Sequence, residues 1–124
     1  MTMNRKILIT ENDVDIKMLL SSLLRRHYDV SFLEDADILL QGQFETPDLF
    51  VLSTHLSDVD VSKVCQYLKT NKATKDIPIL IIAGSQDLDF IRHACPGDDF
   101  IMKPFSGPEL LARVHIAIDQ KISR

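Results

Sequence analysis

The chain carries short apolar runs separated by longer segments of helical periodicity. Ile7-Leu8-Ile9-Thr10 is compact and rich in β-branched residues. Val30-Ser31-Phe32-Leu33 is a weaker run, and Phe100-Ile101-Met102 a shorter one. Leu49-Phe50-Val51-Leu52 and Ile79-Leu80-Ile81-Ile82 are apolar at every position. Strands apolar on both faces are what a parallel sheet covered by helices requires.

Between these runs the period changes from strand-like to helical. Ile16, Leu19, Leu20, Leu23 and Leu24 fall at i, i+3, i+4, i+7 and i+8, one apolar stripe. Asp13 or Asn12 can cap that helix. Asp35 can cap a second over residues 36–44, and Ser57 or Asp58 a third running to about Leu68. A less regular fourth, over residues 88–95, ends before Pro96-Gly97. The last helix has the plainest start: Ser106 and Glu109 form an S-x-x-E capping box with Pro108 in the first turn. Leu111, Val114, His115, Ile118 and Ile122 are its expected inner stripe.

Strand and helix alternate five times, which predicts an α/β fold, a (βα)5 doubly wound parallel sheet. The flavodoxin-like order 2-1-3-4-5 suits five strands, and its functional crevice lies beyond the C-terminal ends of the strands. Residues 10–13, 53–60, 83–87 and 102–105 are therefore the ones to examine. The 124 residues are expected to form one domain, 1–124.

Composition narrows the function. The net charge is -4 with no basic run, so electrostatics gives no reason to expect nucleic-acid binding by this segment. No apolar stretch approaches the ~18 residues of a membrane span. The polar segment before Ile7 leads into a run too short for a signal peptide, so a cytoplasmic location is expected. Cys65 and Cys95 have no C-x-x-C pairing and read as reduced packing residues. His27, His55, His93 and His115 show no ligand spacing. Ser53 and His55 lack the G-x-S-x-G elbow and an evident third member, so they do not read as a nucleophile and its base. The acidic turn Thr10-Glu11-Asn12-Asp13 would repel the phosphates that nucleotide and flavin binders cradle on glycine-rich turns.

Four segments at the crevice carry a resemblance. Thr10-Glu11-Asn12-Asp13 follows the first strand. Pro47-Asp48-Leu49 enters the third, which ends at Ser53. Ile77-Pro78 enters the fourth, which ends at Ala83. Asp98-Asp99-Phe100 leads to Lys103-Pro104-Phe105 around the fifth. In that order and spacing they resemble the receiver domains of two-component response regulators, from Lys6 to about Ile118. The resemblance implies an acidic pair after the first strand and a phosphoryl-accepting aspartate at the end of the third, together holding Mg2+. It also implies a Thr or Ser ending the fourth strand, an aromatic on the fifth, and a phosphate-contacting lysine whose bond to the next proline is cis. Matched by position, the acidic pair is Glu11 and Asn12, the acceptor position is Ser53, the switch positions are Ala83 and Phe100, and the lysine is Lys103, followed by Pro104.

The chain departs from that pattern where the chemistry lies. A carboxylate attacks phosphorus as it stands, whereas a serine hydroxyl is a weak nucleophile unless a base takes its proton. Mg2+ takes oxygen ligands, usually including one or two carboxylates. Here Glu11 and Lys103 cancel, while Asn12 and Ser53 offer only neutral dipoles. Mg2+ binding is expected to be weak or absent, with no other cofactor and no enzymatic activity. A Lys103–Glu11 pair is expected to fill the pocket. Ala83 has no hydroxyl to read a phosphoryl group. These changes together suggest a degenerate receiver, or pseudo-receiver, acting as a phosphorylation-independent interaction module. Its expected partner is a protein, met through the fourth helix, fifth strand and fifth helix, and a homodimer is left open. The polar residues 120–124 are where the chain would once have led into an effector domain. The competing reading is a phospho-receiver with a displaced acidic acceptor, Asp58 or Asp60.

Overall fold

The computed structural model describes residues 4–54, 60–84 and 99–123. Five parallel strands form one sheet: β1 (Lys6–Thr10), β2 (Asp29–Leu33), β3 (Leu49–Ser53), β4 (Ile79–Ala83) and β5 (Asp99–Met102). Their order is β2-β1-β3-β4-β5, the flavodoxin-like order. The described helices are α1 (Val14–Leu24), α2 (Asp37–Leu40), α3 (Val61–Thr70) and the C-terminal α4 (Gly107–Ser123). The helix expected at residues 88–95 lies outside the described residues, as do Ser57, His55, His93 and Cys95.

Alternation along the strands explains the layering. Ile7, Ile9, Leu49, Val51, Leu80, Ile82 and Ile101 face one way, into a core shared with Leu20 and Leu24 of α1 and Leu110, Val114 and Ile118 of α4. Leu8, Phe50, Leu52, Ile79, Ile81 and Ala83 face the other way, against Leu39 of α2 and Val64, Cys65 and Leu68 of α3. Every residue of β3 and β4 is buried. A side chain in the middle of either strand can only pack, so polar chemistry is confined to the strand ends. The chain steps from β1 outward to β2, then back past β1 to β3. That reversal opens the crevice at the C-terminal ends of β1 and β3.

Local chemistry sets the helix limits. The Asp13 carboxylate accepts from Asp15 N at 2.9 Å and Ile16 N at 3.2 Å, capping α1. At α3 the cap is Asp60, whose Oδ1 accepts from Ser62 N at 3.0 Å, so this helix starts later than Ser57 or Asp58 would place it. Ser106 Oγ accepts from Glu109 N at 3.1 Å, the expected first half of the capping box at α4. The second helix falls well short of residues 36–44. Gly42 takes φ 70°, its N–H returning to Leu39 O, and the chain leaves the helix there. Gly107 lets α4 approach α1: a Cβ on it would sit 3.2 Å from Leu23 Cδ2. Among the described residues no helix is long and apolar enough to cross a membrane.

Over its described side chains, the inner stripe of α4 differs from the expected one by including Leu110 and Ala117 and excluding His115, which is exposed; the Ile122 side chain lies outside them. His115 lies about 100° around the helix from Val114. That turns it toward the α1–β2 connection, where its Nδ1 is hydrogen-bonded with Tyr28 Oη and its ring meets His27 edge-on at 5.6 Å. Tyr28 is buried. That burial, helped by the nearby Asp119 charge, raises its phenol pKa above the ordinary value of 10.0. Ionisation of the phenol therefore favours the unfolded chain, so the stability of the parent is fully present below the unfolded pKa and falls as pH climbs through the raised folded value. Tyr28→Phe loses the hydrogen bond with His115 and should be less stable than the parent near neutral pH, and the gap should narrow above about pH 10 because phenylalanine does not ionise. Urea midpoints of the two proteins across that range measure it; a gap that stays constant would contradict the assignment.

Candidate functional site

The site begins where β1 ends. Thr10 closes the strand fully buried, and Glu11 follows, only 2% exposed. The chain then turns into α1 within two residues. That tight turn brings Asp13 N to 3.1 Å from Glu11 Oε1, so the turn's own backbone orients the carboxylate. Asn12 and Asp13 stand exposed beside it. The charge of Asp13 is committed to the N-terminus of α1, where it complements the helix dipole.

Two strand ends come next. Ser53 closes β3 and is fully buried, and Thr54 N donates to Ile82 O at 3.0 Å, carrying the ladder one step further. Ala83 closes β4, also fully buried, within the α2–α3 core. On β5, Phe100 is half-buried and packs on that same core. Beyond the strand, Lys103 N donates to Ala83 O at 2.8 Å, which fixes the root of the lysine beside the end of β4. The Lys103–Pro104 bond is cis, and Phe105 packs back onto the α1–α4 core.

From that root the lysine reaches Glu11. Its Nζ lies 3.8 Å from Glu11 Oε1, with the glutamate side chain 1% exposed and the lysine side chain 23% exposed. One oxygen of the carboxylate thus meets both Asp13 N and the ammonium. The other, Oε2, has no hydrogen-bond partner among the described residues, and neither does the buried Thr10 Oγ1. The structure gathers Glu11, Ser53, Ala83 and Lys103 at the C-terminal edge of the sheet. Asp60 does not enter this set as an available carboxylate: its Oδ1 takes both Ser62 N and Ser62 Oγ, the latter at 2.8 Å. Asp58 lies outside the described residues.

A second ion pair was not signalled by the sequence. Arg113 Nη1 on α4 meets both carboxylate oxygens of Asp99 on β5, at 2.8 and 3.0 Å. The residues are fourteen positions apart, so no helical spacing marks them. Only the packing of α4 beside β5 brings them together.

The model of the response regulator receiver domain matches residues 7–115, which take in all five strands. This chain belongs to that family. The receiver domain is 37% identical over 116 residues to the alkaline phosphatase synthesis transcriptional regulatory protein PhoP of Bacillus subtilis, covering 90% of this chain and 48% of that protein. It is 38% identical over 116 residues to the DNA-binding dual master transcriptional regulator RpaA of Synechocystis, covering 88% of this chain and 47% of that one. The receiver domain therefore spans about half the length of the curated relatives it matches. In fold it is similar to the receiver domain of a sensor histidine kinase from Pseudomonas aeruginosa, solved with a magnesium ion coordinated in its active site cleft. The TM-score is 0.82 at 19% identity, over 94% of this chain and 99% of that one.

The two halves of the Glu11–Lys103 pair should respond unequally to truncation. Lys103→Met leaves a buried carboxylate without its counter-charge, which is expected to cost on the order of 2 kcal/mol. This falls below the range for a fully buried pair because the lysine keeps some contact with water. Glu11→Gln leaves an ammonium that can turn toward solvent on its flexible stem, so its cost should be smaller. Urea denaturation of both single variants and the double variant measures the coupling; equal costs that simply add would show that the two groups do not interact.

Proposed function

We propose that this receiver domain is a degenerate one, a pseudo-receiver that transmits information by protein contact and does not accept a phosphoryl group at position 53. The observation that carries this reading is the neutral pocket. Serine stands at the buried end of β3, and the buried carboxylate at the end of the adjacent strand, Glu11, is paired with Lys103 at 3.8 Å. In this reading Ser53 occupies the acceptor position, Glu11 and Asn12 that of the acidic pair, Ala83 and Phe100 the switch positions, and Lys103 that of the phosphate-contacting lysine. A serine hydroxyl is a weaker nucleophile toward phosphorus than a carboxylate, which attacks as it stands. An alanine ending β4 offers a phosphoryl oxygen no hydroxyl to hold.

The residues present do not fit Mg2+. The ion favours one or two carboxylates with water and phosphate around them. Among the described residues, Glu11 is the buried carboxylate at this edge, and its charge is offset by the Lys103 ammonium. The orphan Glu11 Oε2 and Thr10 Oγ1 are two acceptor sites, a set that suits an ordered water better than a bare dication. The magnesium in the cleft of the Pseudomonas aeruginosa domain is a property of that protein, and we carry no step through a metal here.

The proposed working surface is the face built from β5 and α4; the expected fourth helix lies outside the described residues. The Asp99–Arg113 pair binds β5 to α4, and Ile116 stands 52% exposed on that helix. Charge-free contact through such a face needs no enzymatic chemistry and no cofactor. The relatives with matching sequence are named as transcriptional regulators, which supports a signalling role and a DNA-directed effector region elsewhere in a longer protein.

Incubation with a small-molecule phosphodonor and Mg2+, read by intact mass, tests the proposal. The expected result is no gain of a phosphoryl group and no Mg2+-induced shift of the amide resonances around Ser53. A clean gain of one phosphoryl group overturns it. If that gain disappears in Asp60→Asn, the acceptor is displaced to the head of α3.

A further inference from the structure

The pair that neutralises the pocket joins distant parts of the sheet. Glu11 follows β1 and Lys103 follows β5, and in the order β2-β1-β3-β4-β5 two strands lie between them. Neighbouring strands are ~4.8 Å apart, so β1 and β5 stand roughly 14 Å apart at their ends. An extended lysine reaches about 6 Å from Cα to Nζ at standard bond lengths, and a glutamate somewhat less. The contact at 3.8 Å is therefore made by two nearly outstretched side chains crossing the ends of β3 and β4. Those ends carry Ser53 and Ala83, both small and neutral.

The ammonium crosses β3 before it reaches β1. A carboxylate at the end of β3 would stand one strand spacing nearer to the root of Lys103 and would capture the charge first. A neutral residue at position 53 leaves the lysine to Glu11. We infer that the Lys103–Glu11 contact is a conformational tie, holding the turn after β5 against the turn after β1 in one arrangement, and that Ser53 is a positioning residue for it. The inference rests on the neutral-pocket reading and gives the altered residues a shared role. The turn that Lys103 begins contains Ser106, the cap of α4, so the tie also fixes how the C-terminal helix enters the domain. At the other end the Glu11 carboxylate accepts from Asp13 N, and Asp13 caps α1. One ion pair thus spans the starts of the two helices that share a face of the sheet.

The test is a structure and an amide hydrogen-exchange profile of Ser53→Asp beside the parent and Ser53→Ala. In Ser53→Asp the lysine is expected to leave salt-bridge reach of Glu11 and settle on the introduced carboxylate. The amides of residues 11–13 should then exchange roughly tenfold faster, as loss of a charge-assisted contact allows. Ser53→Ala should keep the parent's contact and exchange profile, which separates capture by charge from loss of the serine hydroxyl. A lysine that stays on Glu11 in Ser53→Asp, with unchanged exchange, overturns the positioning role of Ser53. Should that variant fail to fold, Glu11→Gln decides: faster exchange at both 11–13 and 103–106 supports the tie, and an unchanged profile overturns it. Phosphoryl gain by the parent protein would overturn the phosphorylation-independent reading whatever the lysine does. An unmoved lysine would overturn the positioning role of Ser53, and an unchanged exchange profile in Glu11→Gln would overturn the tie, whatever the phosphodonor does.

Discussion

A parallel sheet buried on both faces has no room for a polar side chain along its strands. β3 and β4 are closed to solvent from end to end, with one core of α1 and α4 on one side and another of α2 and α3 on the other. Any group that must be charged, or must meet a ligand, is driven to the strand ends. At the C-terminal ends the connections leave the sheet as turns, and turns can present backbone N–H groups and acidic caps. The location of the candidate site follows from this constraint before any particular side chain is considered.

What the site can do then depends on charge. Burial at 2% exposure makes the Glu11 carboxylate costly unless something opposes it. Two things do: the Asp13 N–H, supplied by the turn itself, and the Lys103 ammonium, supplied from across the sheet. Two other described acids near this edge have structural work. Asp13 and Asp60 cap helices. One carboxylate oxygen of each is turned to the backbone N–H groups of its own helix. Proximity in the chain therefore does not translate into charge available at the pocket.

Much of this was legible in the sequence, because strand burial and helix periodicity write themselves directly into residue type. Leu49 to Leu52 and Ile79 to Ile82 could only be interior strands. Asp13 and Ser106 announced their helices through hydrogen-bonding geometry that those residue types share. The Glu11–Lys103 approach was legible through family resemblance and charge accounting, not through spacing. The differences have local causes. The second helix is shorter than its apolar pattern suggests because the chain leaves it where Gly42 takes a positive φ. The third begins at Val61 because Asp60, one of several residue types there able to cap, is the one whose carboxylate meets the helix N–H. His115 meets Tyr28 and not the core because one position along the helix is a turn of about 100°. Arg113 and Asp99 had no sequence signal at all, since their meeting depends on tertiary packing.

The residues of this edge make more sense together than singly. A buried carboxylate after β1 and an ammonium rooted after β5 are each costly or idle alone, and here they approach to 3.8 Å. The strands between them end in Ser53 and Ala83, both small and neutral, so neither end opposes the approach by charge. The turn after β1 adds the Asp13 N–H to the same carboxylate oxygen, so backbone and side chain oppose one buried charge from two directions.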